Sequence, residues 1–172
     1  RFFNCEKTMG VLHVVGGLLL FAAPQLIANG KGDALSWVIM AHMLCYMPTL
    51  ALSNTVAFAN IDDRNKFPAL RVWGTIGWIV AGLVVGGLGM SSSPKIFTLG
   101  AVSGIVLGVL CFFMPKTPPP GKGKPVNVGT LFMFDAFKLL GSIPFLVFII
   151  CSALICVPLA YYFAYTSVYL PQ

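Results

Sequence analysis

Residues 67–82, FPALRVWGTIGWIVAG, decide the fold, because they form an apolar helix pattern that contains a single arginine. Pro68 suits the first turn of this helix. An arginine is costly in hydrocarbon, so within an apolar helix it usually faces a bundle interior or an aqueous cavity. Thr75 and Trp78 follow Arg71 at helical spacing and share its face. We therefore predict a functional helix of a membrane protein. The alternative is that Arg71 extends to the membrane surface and has no role in a site.

The composition indicates a membrane protein over the whole chain. Of the 172 residues, 58% are apolar and 9% are charged, whereas about a quarter of the residues in soluble domains are charged. The mean hydropathy is +0.88. One membrane span needs roughly 20 apolar residues. We therefore predict an all-α, polytopic membrane protein with five transmembrane helices. The predicted spans are residues 8–28, 34–60, 69–89, 96–114 and 143–165.

Several function classes are disfavoured by the motifs. The five cysteines form no CxxC pair and lie mostly in apolar runs, which argues against a disulfide framework and a metal site. The net charge of +6 comes from Lys and Arg at span ends, and this pattern does not predict nucleic-acid binding. The sequence lacks HExxH, GxSxG and paired intramembrane aspartates. We therefore predict that the protein is not an enzyme and has no catalytic residues.

The charged loops predict the orientation in the membrane. Residues 116–142 begin as a Pro-, Gly- and Lys-rich linker. Within them, residues 131–140 have the pattern of a helix lying along the interface. Together with residues 1–7 and 61–68, this side of the membrane holds eight of the eleven Lys and Arg residues. By the positive-inside rule this side is cytoplasmic. We predict a multi-pass protein of the inner cell membrane with a cytoplasmic linker at 116–142.

The second span is the more polar one. Its polar residues near one face are His42, Tyr46, Thr49, Ser53 and Asn60. These side chains could form hydrogen bonds between helices or line a cavity, and the sequence supports both interpretations equally. We predict that Thr49 and Asn54 line a cavity, although Asn54 points about a third of a turn away. His13, in the first span, is a hydrogen-bonded packing residue or a protonatable group.

The order of the elements predicts a partial transporter. The pattern suggests a fragment of a longer chain, because it has an odd number of spans, a start without methionine and a long linker before one last helix. Two six-helix halves joined by such a linker are the plan of major facilitator transporters. On that plan, residues 1–115 belong to the N-terminal six-helix bundle. Residues 116–142 are then the linker, and 143–172 form the first helix of the C-terminal bundle. The five spans become the third to seventh of twelve.

Three segments resemble the signature of the nucleoside:proton symporter family within the major facilitator superfamily. They are residues 46–54, YMPTLALSN, the pair Phe67 and Pro68, and residues 71–78, RVWGTIGW. The segments are dense and follow the family's order. The resemblance extends over nearly the whole chain in its layout of spans.

The resemblance implies a secondary transporter that imports nucleosides by proton symport through alternating access. The family's binding residues correspond to Arg71, Thr75 and Trp78, which implies substrate binding there. The sequence departs from the family pattern at Ala160 and Phe163, where amide side chains are expected. None of the predicted spans contains an acidic residue. The proton site is therefore expected in helices outside this sequence or at a histidine.

Two other functions stay open at this stage. One is a major facilitator transporter for another small polar solute, such as a sugar. The other is a membrane assembly subunit without transport activity. For the transporter we expect no cofactor, with the proton gradient as the energy source. Its expected partners are a nucleoside and the lipid bilayer, and we expect a monomer for the full-length protein.

Overall fold

The computed structural model of this protein describes residues 3–90, 93–119, 121, 123 and 137–169, and all regular structure in them is helical. The chain divides into two compact units, residues 1–122 and 123–172. The first unit contains α1 to α5 and the second contains α6. The helices are α1 Cys5–Leu20, α2 Ala23–Ala28, α3 Gly32–Asn60, α4 Phe67–Gly87, α5 Lys95–Cys111 and α6 Ile143–Tyr169. Short 3-10 turns occur at Arg64–Lys66 and Lys138–Gly141.

The all-α membrane architecture predicted from the sequence is confirmed. Four stretches of the described chain are helical, long and apolar enough to cross a membrane: Cys5–Ala28, Gly32–Asn60, Arg64–Gly87 and Ile143–Tyr162. The remaining predicted span, 96–114, corresponds to α5, which is apolar but has only 17 residues. Its backbone turn continues to Met114 through hydrogen bonds from the amides of residues 112–114 to the carbonyls three residues earlier. The predicted end at 114 therefore includes this tighter last turn.

The first predicted span is broken into α1 and α2 just before Pro24. Proline has no amide hydrogen and its ring obstructs the preceding turn. The helix accordingly tightens, and the amides of Phe21 and Ala22 donate to the carbonyls of Leu18 and Leu19. Pro24 therefore accounts for the break in this span.

A glycine in the left-handed region follows the last residues of both α2 and α4. Gly30 has φ +67° and Gly89 has φ +61°. After α2, the Lys31 amide donates to the Leu26 carbonyl, and the Gly30 amide donates to the carbonyl three residues earlier. The same pair of bonds follows α4 around Gly89. This is the Schellman arrangement, which favours glycine because a Cβ is disfavoured at positive φ.

In the first unit, α1 packs between α3 and α5. On the α5 side, a Cβ added to Gly17 would lie 2.8 Å from the Ala101 carbonyl oxygen, and one added to Gly10 would lie 2.9 Å from that of Gly108. On the α3 side, Gly16 faces His42. Small residues allow two helix backbones to approach this closely. The glycines of α1 and α5 therefore allow these two helices to pack closely.

The glycine-rich helix α4 differs from this arrangement. None of its residues is buried, and a Cβ added at any of its glycines would meet no atom within 4 Å. Its first residue, Phe67, stacks on Phe58 near the end of α3 with ring centroids 4.3 Å apart. The α4 glycines therefore make no close helix contact among the described residues.

The second unit is built on α6. The 3-10 turn Lys138–Gly141 precedes it, and the Ser142 hydroxyl donates to the Leu139 carbonyl. Of the interfacial helix predicted at 131–140, residues 131–136 lie outside the described residues. Farther along α6, beyond Pro158, the rings of Tyr161 and Tyr165 stack at 5.8 Å.

Candidate functional site

A cavity of about 370 Å³ lies between α1, α3 and α5. Its wall is largely apolar, and its polar groups come from His13 on α1 and from Tyr46, Thr49 and Ser53 on α3. The Thr49 hydroxyl donates to the Tyr46 carbonyl at 2.6 Å, and the Ser53 hydroxyl donates to the Leu50 carbonyl at 2.8 Å. Because both hydroxyl hydrogens are used within the helix, each oxygen is left only as an acceptor. The cavity therefore offers acceptors from α3 to a ligand that donates hydrogen bonds.

The two residues predicted to line a cavity are placed differently by the structure. Thr49 is buried and belongs to the wall of the 370 Å³ cavity. Asn54 is exposed and is not among the residues of that wall. The two residues are five positions apart on a continuous helix, so their side chains point in directions about 140° apart around the helix axis. Their assignment to a substrate cavity stays a prediction.

A second cavity, of about 240 Å³, shares His13 and Tyr46 with the first and adds His42. The His13 ring meets the Tyr46 ring edge-on at 6.3 Å, and the His42 ring stacks on it at 6.0 Å. His42 Nδ1 lies 3.0 Å from the Gly16 carbonyl oxygen. The sequence suggested a hydrogen-bonded packing role for His13, but among the described residues the hydrogen bond belongs to His42. The association of the two histidines around one tyrosine was not predicted, because it depends on how α1 packs on α3.

The predicted substrate-binding residues Arg71, Thr75 and Trp78 lie on α4. The helix is continuous from Phe67 to Gly87, so their spacing places them along one face. All three are exposed, with Trp78 at 66%. None of the residues that line the two cavities comes from α4. The structure of the described residues therefore aligns the three side chains but does not bring them to Thr49.

Arg71 lies about 6 Å along the axis from the first residue of α4, at 1.5 Å per residue. A long arginine side chain can cover that distance and place its guanidinium at the membrane surface. Both interpretations of Arg71, a site residue and a residue extended to the surface, are compatible with this position.

A buried polar cluster at the start of α1 was missed by the sequence analysis. Glu6 is 2% exposed and Thr117 is 1% exposed. The Glu6 carboxylate accepts from the Thr117 amide at 2.9 Å and from Asn4 Nδ2 at 3.0 Å. Asn60, at the end of α3, donates through Nδ2 to Thr117 Oγ1 at 3.0 Å. The Cys5 amide donates to the Thr117 carbonyl at 3.0 Å.

This cluster holds the first residues after α5 against the helix bundle. The predicted linker begins at residue 116, whereas the first compact unit continues to 122. An acidic residue in the first turn of a helix, such as Glu6, was a signal for an interaction with backbone amides. The particular amide comes from residue 117, and no sequence pattern indicated that partner.

Metal binding has no support in the described part of the chain, where no group of three or more His, Cys, Asp or Glu side chains is placed to hold an ion. The cysteines Cys5, Cys45, Cys111, Cys151 and Cys156 are all free thiols.

The long apolar helices define the class, an integral membrane protein of all-α architecture. The model of the family described as "Nucleoside H+ symporter" matches residues 1–172. The chain belongs to the nucleoside H+ symporter family.

Three relatives from Escherichia coli (strain K12) agree with this assignment. YegT is 40% identical over 183 aligned residues, which cover 100% of this chain and 41% of YegT. The nucleoside permease NupG is 30% identical over 160 residues, with 90% of this chain and 38% of NupG covered. The xanthosine permease is 28% identical over 144 residues, with 81% and 34% covered. The chain thus spans about two fifths of the length of these relatives.

A solved structure supports the fold independently. The crystal structure of the nucleoside transporter NupG, determined for an aspartate-to-alanine mutant, superposes with a TM-score of 0.71 at 30% sequence identity. The superposition covers 87% of this chain and 38% of the NupG chain. The family and the helical fold predicted from the sequence are therefore confirmed.

Proposed function

We propose that the complete protein imports nucleosides together with protons by alternating access of two helical bundles. The observation that carries this proposal is the family match over residues 1–172. The likeness to the NupG structure over 87% of the chain supports it. NupG is named a nucleoside permease, and a further relative is named a xanthosine permease. This chain accounts for only part of such a transporter, so the activity is proposed for the complete protein.

Within this proposal, the face of α4 binds the nucleoside. Arg71 carries a planar guanidinium that donates several hydrogen bonds and suits the oxygen acceptors of a base or ribose. Thr75 supplies a hydroxyl that both donates and accepts. Trp78 supplies a flat apolar ring that stacks on a base. Thr49 and Asn54 of α3 line the transport cavity and add polar contacts.

The proposed protein lies in the inner cell membrane, with residues 116–142 on the cytoplasmic side. The charge distribution supports this orientation, since Lys and Arg concentrate on one side of the predicted spans. The transporter needs no cofactor, because the proton gradient supplies the energy. It works as a monomer.

A second candidate is a transporter for another small polar solute, such as a sugar. It is favoured by Ala160 on α6, which stands where the family resemblance leads to an amide side chain. An alanine methyl forms no hydrogen bond with a base. Competition between solutes therefore separates the two candidates.

The test is uptake of labelled nucleosides by the complete protein in cells without their own nucleoside permeases. We expect uptake that unlabelled uridine or adenosine reduces, that a sugar does not reduce, and that a protonophore abolishes. Absence of uptake for every nucleoside would overturn the substrate assignment. Uptake that is insensitive to the protonophore would overturn the proton coupling alone.

The same assay tests the α4 site. We expect Arg71→Ala to reduce uptake at least tenfold and Arg71→Lys to restore only part of it, because an ammonium lacks the planar fork of a guanidinium. Arg64→Ala, in the exposed 3-10 turn before α4, is the matched control and should leave uptake within twofold of wild type. Normal transport by both Arg71 variants at equal expression would show that Arg71 extends to the membrane surface.

A further inference from the structure

His13, Tyr46 and His42 form a cluster inside the first unit, which we call the histidine pair cluster. The two imidazole rings lie on the same tyrosine ring, with centroids 6.3 and 6.0 Å away. All three side chains line the 240 Å³ cavity between α1, α3 and α5. At 1.5 Å per residue, His13 lies about 12 Å from the start of α1 and His42 about 15 Å from the start of α3. The pair is thus well inside its helices.

The hydrogen bond of His42 fixes how a proton can be added. A carbonyl oxygen only accepts, so the Nδ1 that faces the Gly16 carbonyl at 3.0 Å carries a hydrogen. Nε2 of His42 is then the atom with a free lone pair. The His13 ring forms no hydrogen bond within the part of the chain that the structure describes. Each histidine therefore keeps a nitrogen that can accept a proton.

Two added protons are less favourable than one in the surroundings of this pair. Among the described residues, no Asp, Glu, Lys or Arg lines either of the two cavities that His13 shares. The other titratable groups that line these cavities or face Gly16 are Tyr46 and Cys45 of α3 and Cys111 of α5. An imidazolium in an apolar wall is disfavoured, and two neighbouring imidazoliums repel each other. One proton shared by the two rings is therefore disfavoured less than one proton on each ring.

We propose that His13 and His42 together form a proton-binding site of the transporter, in which one proton is held on a ring nitrogen of either histidine. The inference rests on the proposed proton symport and names a site for its proton. The proton adds to a nitrogen lone pair from one side of the membrane and leaves from the pair toward the other. No bond between heavy atoms changes.

The test uses the complete protein reconstituted in vesicles, with uridine as substrate. The double variant His13→Gln/His42→Asn removes both proton acceptors, and the Asn amide nitrogen can still donate to the Gly16 carbonyl as Nδ1 does. Three quantities are measured. They are the gradient-driven accumulation of uridine, the proton movement that accompanies it, and the exchange of labelled for unlabelled uridine without a gradient. We expect the ratio of accumulation to exchange to fall at least tenfold. We also expect the proton movement to disappear.

Ser36→Ala is the matched control, because Ser36 is an exposed residue near the start of α3 whose hydroxyl bonds only its own helix. This variant should keep the wild-type ratio. Coupled accumulation in the double variant at the wild-type ratio would overturn the histidine assignment alone. If wild-type protein moves uridine without protons, the proposed symport fails and this inference fails with it. If the double variant also loses exchange, the pH dependence of coupled accumulation is compared in the single variants His13→Gln and His42→Asn. Removing one of the two rings that share the proton should shift this pH dependence, and profiles identical to wild type in both single variants would overturn the proposal.

Discussion

At the residue scale, Glu6 shows how a carboxylate can be buried at the end of a membrane helix. Both of its oxygens accept hydrogen bonds, one from the Thr117 amide and one from Asn4. Hydrogen bonds to an ionised acceptor are stronger than those between neutral groups. A buried carboxylate without such donors would be strongly disfavoured. Glu6 therefore fixes the chain after α5 to the start of α1.

Glu6→Gln is expected to destabilise the protein. The amide nitrogen of Gln is a donor, so one of the two donors now facing the carboxylate would meet another donor. Leaving a buried polar group unsatisfied costs about 1–3 kcal/mol. We expect the thermal unfolding temperature of the purified complete protein to drop by several degrees. Asp62→Asn, at an exposed loop residue, is the control and should change it little. Equal unfolding temperatures for the two variants would contradict a stabilising role of Glu6.

At the scale of elements, the helices of the first unit differ in how much of their surface packs against other helices. The helix α1 contacts α3 and α5 through glycines that admit neighbouring backbone. The helix α4 exposes its apolar side chains, including Trp73 at 73% and Leu83 at 70%. Apolar surface this extensive is expected to face lipid or other protein. Whether α4 forms part of a binding site therefore depends on whether lipid or protein covers Arg71 and Trp78.

Gly17→Ala is expected to disturb the packing of α1 on α5. The new Cβ would lie 2.8 Å from the Ala101 carbonyl oxygen, which is backbone and cannot move aside without shifting the helix. Overpacking of this kind costs about 1–3 kcal/mol. We expect a lower unfolding temperature and less folded protein in the membrane. Gly32→Ala is the matched control, because its Cβ would meet no atom within 4 Å. A Gly17→Ala protein as stable as this control would argue against close α1–α5 contact.

At the scale of the whole molecule, the distribution of charge determines the orientation that we propose. The cytoplasmic side is assigned the loop 61–68 and the linker 116–142, and the opposite side is assigned Lys31 and Lys95. Positively charged loops stay on the cytoplasmic side during membrane insertion. The orientation therefore follows from charged residues in the loops and at the helix ends.

This orientation is tested by single cysteines in a variant of the complete protein from which all native cysteines have been removed. Lys31→Cys and Lys66→Cys both introduce a thiol at an exposed position. We expect a membrane-impermeant thiol reagent added to intact cells to label Lys31→Cys, and to label Lys66→Cys only after the cells are permeabilised. The reverse labelling pattern would show that each of these loops lies on the opposite side of the membrane from the one we propose. Labelling of both in intact cells would contradict a transmembrane α3.

The sequence alone determined the class, the number of apolar helices, the family and the face that Arg71, Thr75 and Trp78 share. These features follow from hydropathy, helical period and local motifs, which need no knowledge of distant contacts. Only the tertiary structure decided that Gly17 meets Ala101, that Glu6 bonds Thr117, and that His13 and His42 lie on one tyrosine. Each of these contacts joins different elements of the chain. Their formation depends on how helices pack, and a single sequence does not encode that packing in any local pattern.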